Sequence, residues 1–478
     1  MSALRSHIAD SAAQSELAAA LADVRASLEL PEEFPAEVLA EAAAATSASP
    51  PPERDRRDLE FLTIDPVGSM DLDQAMHLTR RDGGGYTVHY AIADVPGFVV
   101  PEGAVDQEAR VRGQTLYAAD GRIPLHPPVL SEDRISLLPG VDRSAYLWEL
   151  DLDEAGAVVG TRLERAIVRS RERLSYVEAQ GRIDAGTVDG PLALLQAIGL
   201  LRIEQERARG GASLNAPEAE IVRSDGGYEL EWRRLLPVED WNAQLSLMTG
   251  MEAAELMLAA RVGMLRTMPA PDPDRIAAFR TQAQALGRPW PEAVSYGEYL
   301  RGLDRGDPAC LAIMRAAGGL FRGAGYEAFD GNVPRDPVQS AIAAPYAHVT
   351  APLRRLVDRW ALVVCEAVSA GREVPGWARQ SLAALPSLMG ISSQRASRLE
   401  SASVARVEAA VLADRVGERF DATVLELRDD RAVVQLADPP VTATCPANDR
   451  TRPGEPVGVV LESADISSGA VRFALEAA

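Results

Sequence analysis

The feature that most limits what this chain can fold into is the order of its textures: short strand-like runs, then long helical periodicities, then strand alternation again. From Asp58 to about Leu150, β-forming residues come in bursts cut by Gly and Pro, as in Tyr86–Asp94 after Gly83-Gly84-Gly85. From about Pro191 onward apolar residues recur at helical spacing, which predicts helices over 191–209, 241–266, 274–287, 354–371 and 376–416. The final sixty or so residues alternate again in Thr423–Leu427, Ala432–Leu436 and Pro456–Leu461, and about five short strands of this kind suit a small OB-type barrel. The expected fold is α+β: an N-terminal helical region and linker over 1–57, a large mixed α/β domain over 58–416, and a C-terminal OB-like β-barrel over 417–478. Residues 1–46 read as helical, with Leu4, Ile8, Leu17, Leu21, Val24 and Leu28 on one face, a second helix starting at Pro35, and a linker over Ser47–Arg54. That region has no basic recognition helix, so packing or partner contact is expected of it rather than DNA reading.

Composition narrows the chemistry. At 478 residues the chain is long enough for two or three domains and a large core. No apolar run reaches membrane-spanning length and the first thirty residues lack a secretory layout, so a cytoplasmic protein without a membrane partner is expected. Cys310, Cys365 and Cys445 are too scattered for a zinc site or a disulfide framework and are expected as buried thiols. There is no lysine, so all 49 basic residues are arginine. This excludes phosphate-loop, kinase and Schiff-base lysine chemistry, and no nucleotide cofactor is expected. A net charge of −21 argues against a broad duplex-binding face but permits a narrow arginine-lined channel for one strand.

The segment Thr63–Gln74 places Asp65, Asp71 and Asp73 within nine residues, as D-x5-D-x-D. A hard divalent cation takes oxygen ligands, usually a few carboxylates plus substrate phosphates, so the segment reads as a metal site for phosphodiester chemistry. A solvated turn rich in Asp is the competing reading of the same residues. Further motifs follow: Ala91–Val95, then Asp106–Tyr117, then Arg122–Pro127 with Leu130-Ser131, and much later His348–Arg359, which contains Thr350-Ala351-Pro352-Leu353-Arg354-Arg355.

In order and spacing these motifs resemble the catalytic domain of the ribonuclease II and ribonuclease R family, from about Asp58 to Arg415. The resemblance implies a ribonuclease II-type catalytic domain that hydrolyses single-stranded RNA from the 3′ end to nucleoside 5′-monophosphates. It further implies Mg²⁺, with Mn²⁺ as an alternative, held by Asp65, Asp71 and Asp73, with Asp71 and Asp73 also catalytic. Gln74 stands where the family ordinarily has a fourth aspartate, and its amide oxygen is a possible but uncharged ligand. Arg354 matches the arginine on the reacting phosphate, with Arg355 beside it, and Tyr117 matches the aromatic that stacks on the terminal base. Glu400 aligns with a glutamate near the leaving nucleotide.

The departures are as informative. The opposing clamp aromatic has no counterpart in Ala216–Ile221, and the helix opening Trp241–Gln244 lacks the family's paired glutamates. The helical N-terminal region stands in place of two cold-shock barrels, and the C-terminal barrel offers only Phe420 and Phe473 as aromatics. His348 is expected as a structural hydrogen-bonder rather than a base. The leading expectation is a monomeric, metal-dependent 3′-to-5′ exoribonuclease. The alternatives are a catalytically weak or inactive RNA-binding regulator and, more distantly, a phosphatase on small esters.

Overall fold

The computed structural model describes all residues except 1–4, 8–10, 46–49, 189, 213–217, 225–226, 234, 305–306, 450 and 477–478. Leu4, Ile8, the whole Ser47–Ser49 stretch and Ala216-Pro217 therefore lie outside the described residues.

The strand-like bursts pair into one sheet in the order Arg54–Asp55, Val158–Ser175, Phe61–Asp65, Gln74–Arg80, Tyr86–Ala93 and Asp142–Leu152. Val158–Ser175 pairs antiparallel with Asp142–Leu152 over its first part and parallel with Phe61–Asp65 over its last, so five strands close into a ring. This long strand lies beyond Leu150, where the sequence reading ended the β-rich texture. Successive side chains face opposite ways and both faces are covered. Tyr90, Ile92 and Trp148 pack with Leu195, Leu245 and Met248 of helices Gly190–Arg209 and Pro237–Ala260. Ala91, Ala93 and Leu147 pack the other way, with Val38, Ala42 and Val105.

Helices Gly190–Arg209, Pro273–Ala285 and Leu356–Ser369 fall where the spacing puts them. The predicted 376–416 helix is broken into Gly376–Ser381, a short turn, and Leu385–Leu412, with Pro386 at the start of the last piece. The predicted 241–266 helix is corrected more sharply. It is Pro237–Ala260, ended by Arg261 in the left-handed region (φ 58°), and Val262–Thr267 is a strand paired with Gly325–Asp330. Val262 and Gly263 are poor helix formers, and the partner strand gives their backbone a ladder. Within the region read as helical, Arg5–His7 is also a strand, paired to the edge of the hairpin formed by Glu218–Ser224 and Gly227–Arg233.

Five strands make the C-terminal unit, in the order Thr442–Pro446, Arg431–Leu436, Arg419–Arg428, Pro456–Asp465, Ala470–Leu475, with the two outer strands close to each other. Phe420 and Phe473 meet edge-on at 5.8 Å inside it, both buried, so neither is a stacking surface. Leu17 and Leu21 of helix Ser11–Ser27 share this core with Val407 and Val411 of Leu385–Leu412. The N-terminal helix is thus packed into the structure. Cys310, Cys365 and Cys445 are buried and free.

Candidate active site

Asp65 ends the strand Phe61–Asp65 and Gln74 begins the next, so Asp71 and Asp73 ride on the loop between them. The loop turns through Gly68 (φ 82°), a conformation that favours glycine. It is then pinned from below: Leu72 is fully buried, its N–H donates to Ser136 Oγ (2.9 Å), and its carbonyl accepts from Leu137 N (3.0 Å). Ser136 also donates to the Met70 carbonyl (2.6 Å). With Leu72 turned inward, its neighbours Asp71 and Asp73 are carried on the opposite side of an extended piece.

A second segment meets this loop. Leu353 N donates to Asp73 Oδ1 at 2.8 Å, and Arg354 Nε lies 3.7 Å from Asp73 Oδ2 with its side chain half-exposed. The arginine turn is itself stitched to the segment before Tyr117, because Thr115 N donates to the Arg354 carbonyl (3.0 Å) and Leu356 N to the Gly113 carbonyl (3.0 Å). Tyr117 stands on the hairpin of Leu116–Ala118 and Gly121–Ile123, 52% exposed, with Arg354, Asp71 and Asp73 near enough to act on its hydroxyl. Arg122, opposite Tyr117 on that hairpin, donates to Asp71 (2.6 Å) and to Glu132 (2.8 Å). The three aspartates, Arg354 and Tyr117, scattered over the sequence, therefore share one locality.

The electrostatics are those of a site short of positive charge. Burial first, and Asp71's charge second, push Asp65 up to about 6, with Arg354 acting the other way. Burial holds Asp73 well above the ordinary carboxylate range, against the pull of Arg354 and the Leu353 N–H. Asp65 Oδ2 is buried and accepts no hydrogen bond. An orphaned buried carboxylate oxygen is what a cation would satisfy. Among the described residues no three His, Cys, Asp or Glu side chains converge as a metal cage. Mg²⁺ needs none, since it commonly binds through one or two carboxylates with water and substrate phosphate. The donor set fits such a cation.

The other candidate residues are placed differently. Gln74 Nε2 donates to the Thr350 carbonyl (2.7 Å), and its Oε1 accepts from Ser246 Oγ (3.1 Å) and from the Tyr90 hydroxyl. Its amide oxygen is thus already engaged. Arg355 is paired with Asp358 through two 2.9 Å contacts, and Asp358 also accepts from Ala351 N (2.7 Å). Glu400 is exposed on Leu385–Leu412, next to Leu399, which packs with Leu116 beneath the Tyr117 hairpin. His348 is partly buried beside Tyr326, 2.8 Å from its hydroxyl, and desolvation holds it well below the ordinary imidazole range, as a neutral structural group. Tyr176, half-buried close to Asp65, along with Ser136 and Ser246, carries no mark in the sequence that places it in the site. Arg122 carries a signal only through its place in the Arg122–Pro127 motif.

Two family descriptions match the chain: the RNB domain over residues 53–368 and the RNase II-type exonuclease C-terminal S1 domain over residues 418–476. The chain is 30% identical over 328 residues to ribonuclease R of Escherichia coli, covering 64% of this chain and 39% of that protein. It is 28% identical over 321 residues to the exosome complex exonuclease dis3 of Schizosaccharomyces pombe, covering 64% and 33%. The matches thus span well under half of these relatives. Among solved structures, ribonuclease R of Mycoplasma genitalium in complex with ribose-methylated single-stranded RNA superposes with a TM-score of 0.86 at 17% identity, covering 96% of this chain and 78% of that one. Yeast Ssd1, described as a pseudonuclease, superposes with a TM-score of 0.71 at 16% identity, covering 92% and 56%.

Proposed function

Since the chain belongs to the RNB-domain family of ribonuclease II and ribonuclease R, we propose that it is a 3′-to-5′ exoribonuclease that hydrolyses single-stranded RNA to nucleoside 5′-monophosphates with a divalent cation, Mg²⁺ or Mn²⁺. The observation that carries this reading is the meeting of Asp65, Asp71 and Asp73 with Arg354 and Tyr117, one acidic cradle with one half-exposed guanidinium and one half-exposed aromatic. Bound to Asp65 with Asp71 or Asp73, the cation would supply positive charge at the scissile phosphate and acidify an attacking water. Arg354 is a planar, permanently charged fork suited to a phosphoryl oxygen whose charge grows in the displacement. The 3.7 Å spacing from Asp73 leaves that fork free to turn to substrate. Tyr117 offers a face for the terminal base, and stacking of about 1–3 kcal/mol per base discriminates little between sequences. Asp73, pushed towards its protonated form by burial, accepts from Leu353 N and so holds the arginine turn against the loop.

Gln74 favours a second reading, a catalytically weak or inactive RNA binder. Its amide contributes no charge, and its oxygen already accepts two hydroxyl donors. Incubating purified protein with end-labelled oligoadenylate and Mg²⁺ or Mn²⁺, beside Asp73→Asn, separates the two. Metal-dependent mononucleotide release that the substitution abolishes supports the nuclease. Binding without shortening of the strand supports the second reading.

A further inference from the structure

Away from the acidic cradle, helices Pro273–Ala285 and Pro308–Gly318 and the barrel strand Arg419–Arg428 border an open hollow of about 530 Å³. That is within the size range of small-ligand sites, roughly 300–1,000 Å³. Arg275, Arg315, Arg322 and Arg428 line it, with Gln282 and a single acid, Glu426. Glu426 is taken by Arg428 at 2.9 Å. Among the described residues Arg275, Arg315 and Arg322 have no carboxylate partner at ion-pair distance; Arg275 donates to the Gly319 carbonyl (3.4 Å) and Arg315 to Thr442 Oγ1 (2.9 Å). In a chain with a net charge of −21 and 70 acidic side chains, three exposed guanidiniums gathered at one hollow without a carboxylate partner of their own make a local positive patch that attracts an anion. Crowding registers on Arg315, which burial, joined by Arg428's charge, holds below the ordinary guanidinium range, despite Glu408 and Glu426. Between the arginines the wall is apolar, from Phe279, Leu320 and Leu425. No residue of the acidic loop, the Tyr117 hairpin or the arginine turn lines it.

We propose that this hollow between the two helices and the barrel is a second, noncatalytic binding site for a nucleotide unit, its phosphate held by the arginine forks and its base or sugar set against the apolar wall. Planar guanidiniums match phosphate oxygens in pairs, and the mixed lining matches the two chemistries of a nucleotide. The unit can come from an RNA strand or be a free mononucleotide. Binding does not require cleavage, so the site stands or falls independently of the nuclease reading.

The test uses the full chain in EDTA, which stops metal-dependent cleavage. Affinities are measured for a long labelled oligoadenylate by anisotropy and for AMP by calorimetry, across a salt series, in wild type and in the Arg275→Ala/Arg322→Ala double variant. Arg315 is left intact because it ties the helix to the barrel, and the melting temperature of the variant is checked against wild type; Arg322→Glu serves as a second variant should the double one melt early. If the strand occupies the hollow, oligoadenylate binding weakens about tenfold and the salt slope falls by roughly 0.7 for each lost phosphate contact. Should AMP binding disappear while oligoadenylate affinity holds, the ligand is the free nucleotide. Unchanged affinity and salt slope for both probes in a folded variant overturns the proposal.

Discussion

Replacing Gln74 by leucine tests whether this residue acts through its hydrogen bonds or as a metal ligand. The side chain joins three elements: its own strand, the Thr350 carbonyl four residues before Arg354, and the Tyr90–Ser246 hydroxyl pair. Leucine is near in size and has no polar atoms. Tyr90 and Ser246 keep each other at 2.8 Å, so the change costs them little. The Thr350 carbonyl, on a residue only 3% exposed, is left without its donor, and an orphaned buried acceptor costs about 1–3 kcal/mol. With a modest further loss at the two hydroxyls, and a small gain from the apolar side chain, the expected destabilisation is about 2–3 kcal/mol. Urea unfolding should show a lower midpoint at unchanged slope. Because the broken bond registers the turn that carries Arg354, kcat on oligoadenylate should fall by about 10- to 100-fold, since displacements near 1 Å are that costly. The metal concentration for half-maximal activity should stay as in wild type. A stability unchanged within error, or normal stability with a raised metal requirement, would refute the reasoning and return Gln74 to the cation.

Three further outcomes follow from the geometry. Arg359→Met strands Asp106, whose carboxylate sits 2.6 Å from that guanidinium with both groups almost fully buried, and should cost about 3–5 kcal/mol in urea unfolding, less whatever Arg110 recovers at 3.2 Å. Glu408, where Leu385–Leu412 meets the barrel, is pushed up to about 7 chiefly by burial, although the Thr442 N–H and Arg315 oppose it. A carboxyl raised in the folded state stabilises below its unfolded pKa and loses that contribution as pH climbs from about 4.5 to 7. Glu408→Gln should therefore match wild type near pH 4 and exceed it by up to ~3 kcal/mol near pH 8 in thermal melts, and equal melts at both pH values would sink the claim. Tyr117→Ala should raise KM for oligoadenylate by about 10- to 100-fold with unchanged melting, and an unaltered KM would remove the stacking role.

What could be read from the sequence was what one segment states by itself. The acidic loop declares its aspartates in nine residues, the alternating tail declares a small barrel, and Thr350–Arg355 carries a motif match that singles out Arg354. What could not be read were relations between distant segments. Ser246 and Thr350 lie 172 and 276 positions from Gln74, and nothing in their own neighbourhoods marks them as its partners. Arg354 stands out from Arg355 in sequence only through its match to the family motif, and the physical reason is a contact: Asp358, one helical turn on, engages Arg355 and leaves its neighbour free to face the site. The stretch past Ala260 read as continued helix because Val262, Met264 and Leu265 suit either periodicity, and only the Gly325–Asp330 strand decides.

The wedging of Leu17 and Leu21 between the last long helix and the barrel bears on how the molecule could be shortened or fused. A truncation starting at the motif-bearing segment would tear an apolar plug out from between that helix and the barrel and expose Val407, Val411 and the sheet beneath. Shortened versions made to study the RNA chemistry would be expected to clump for reasons unrelated to RNA.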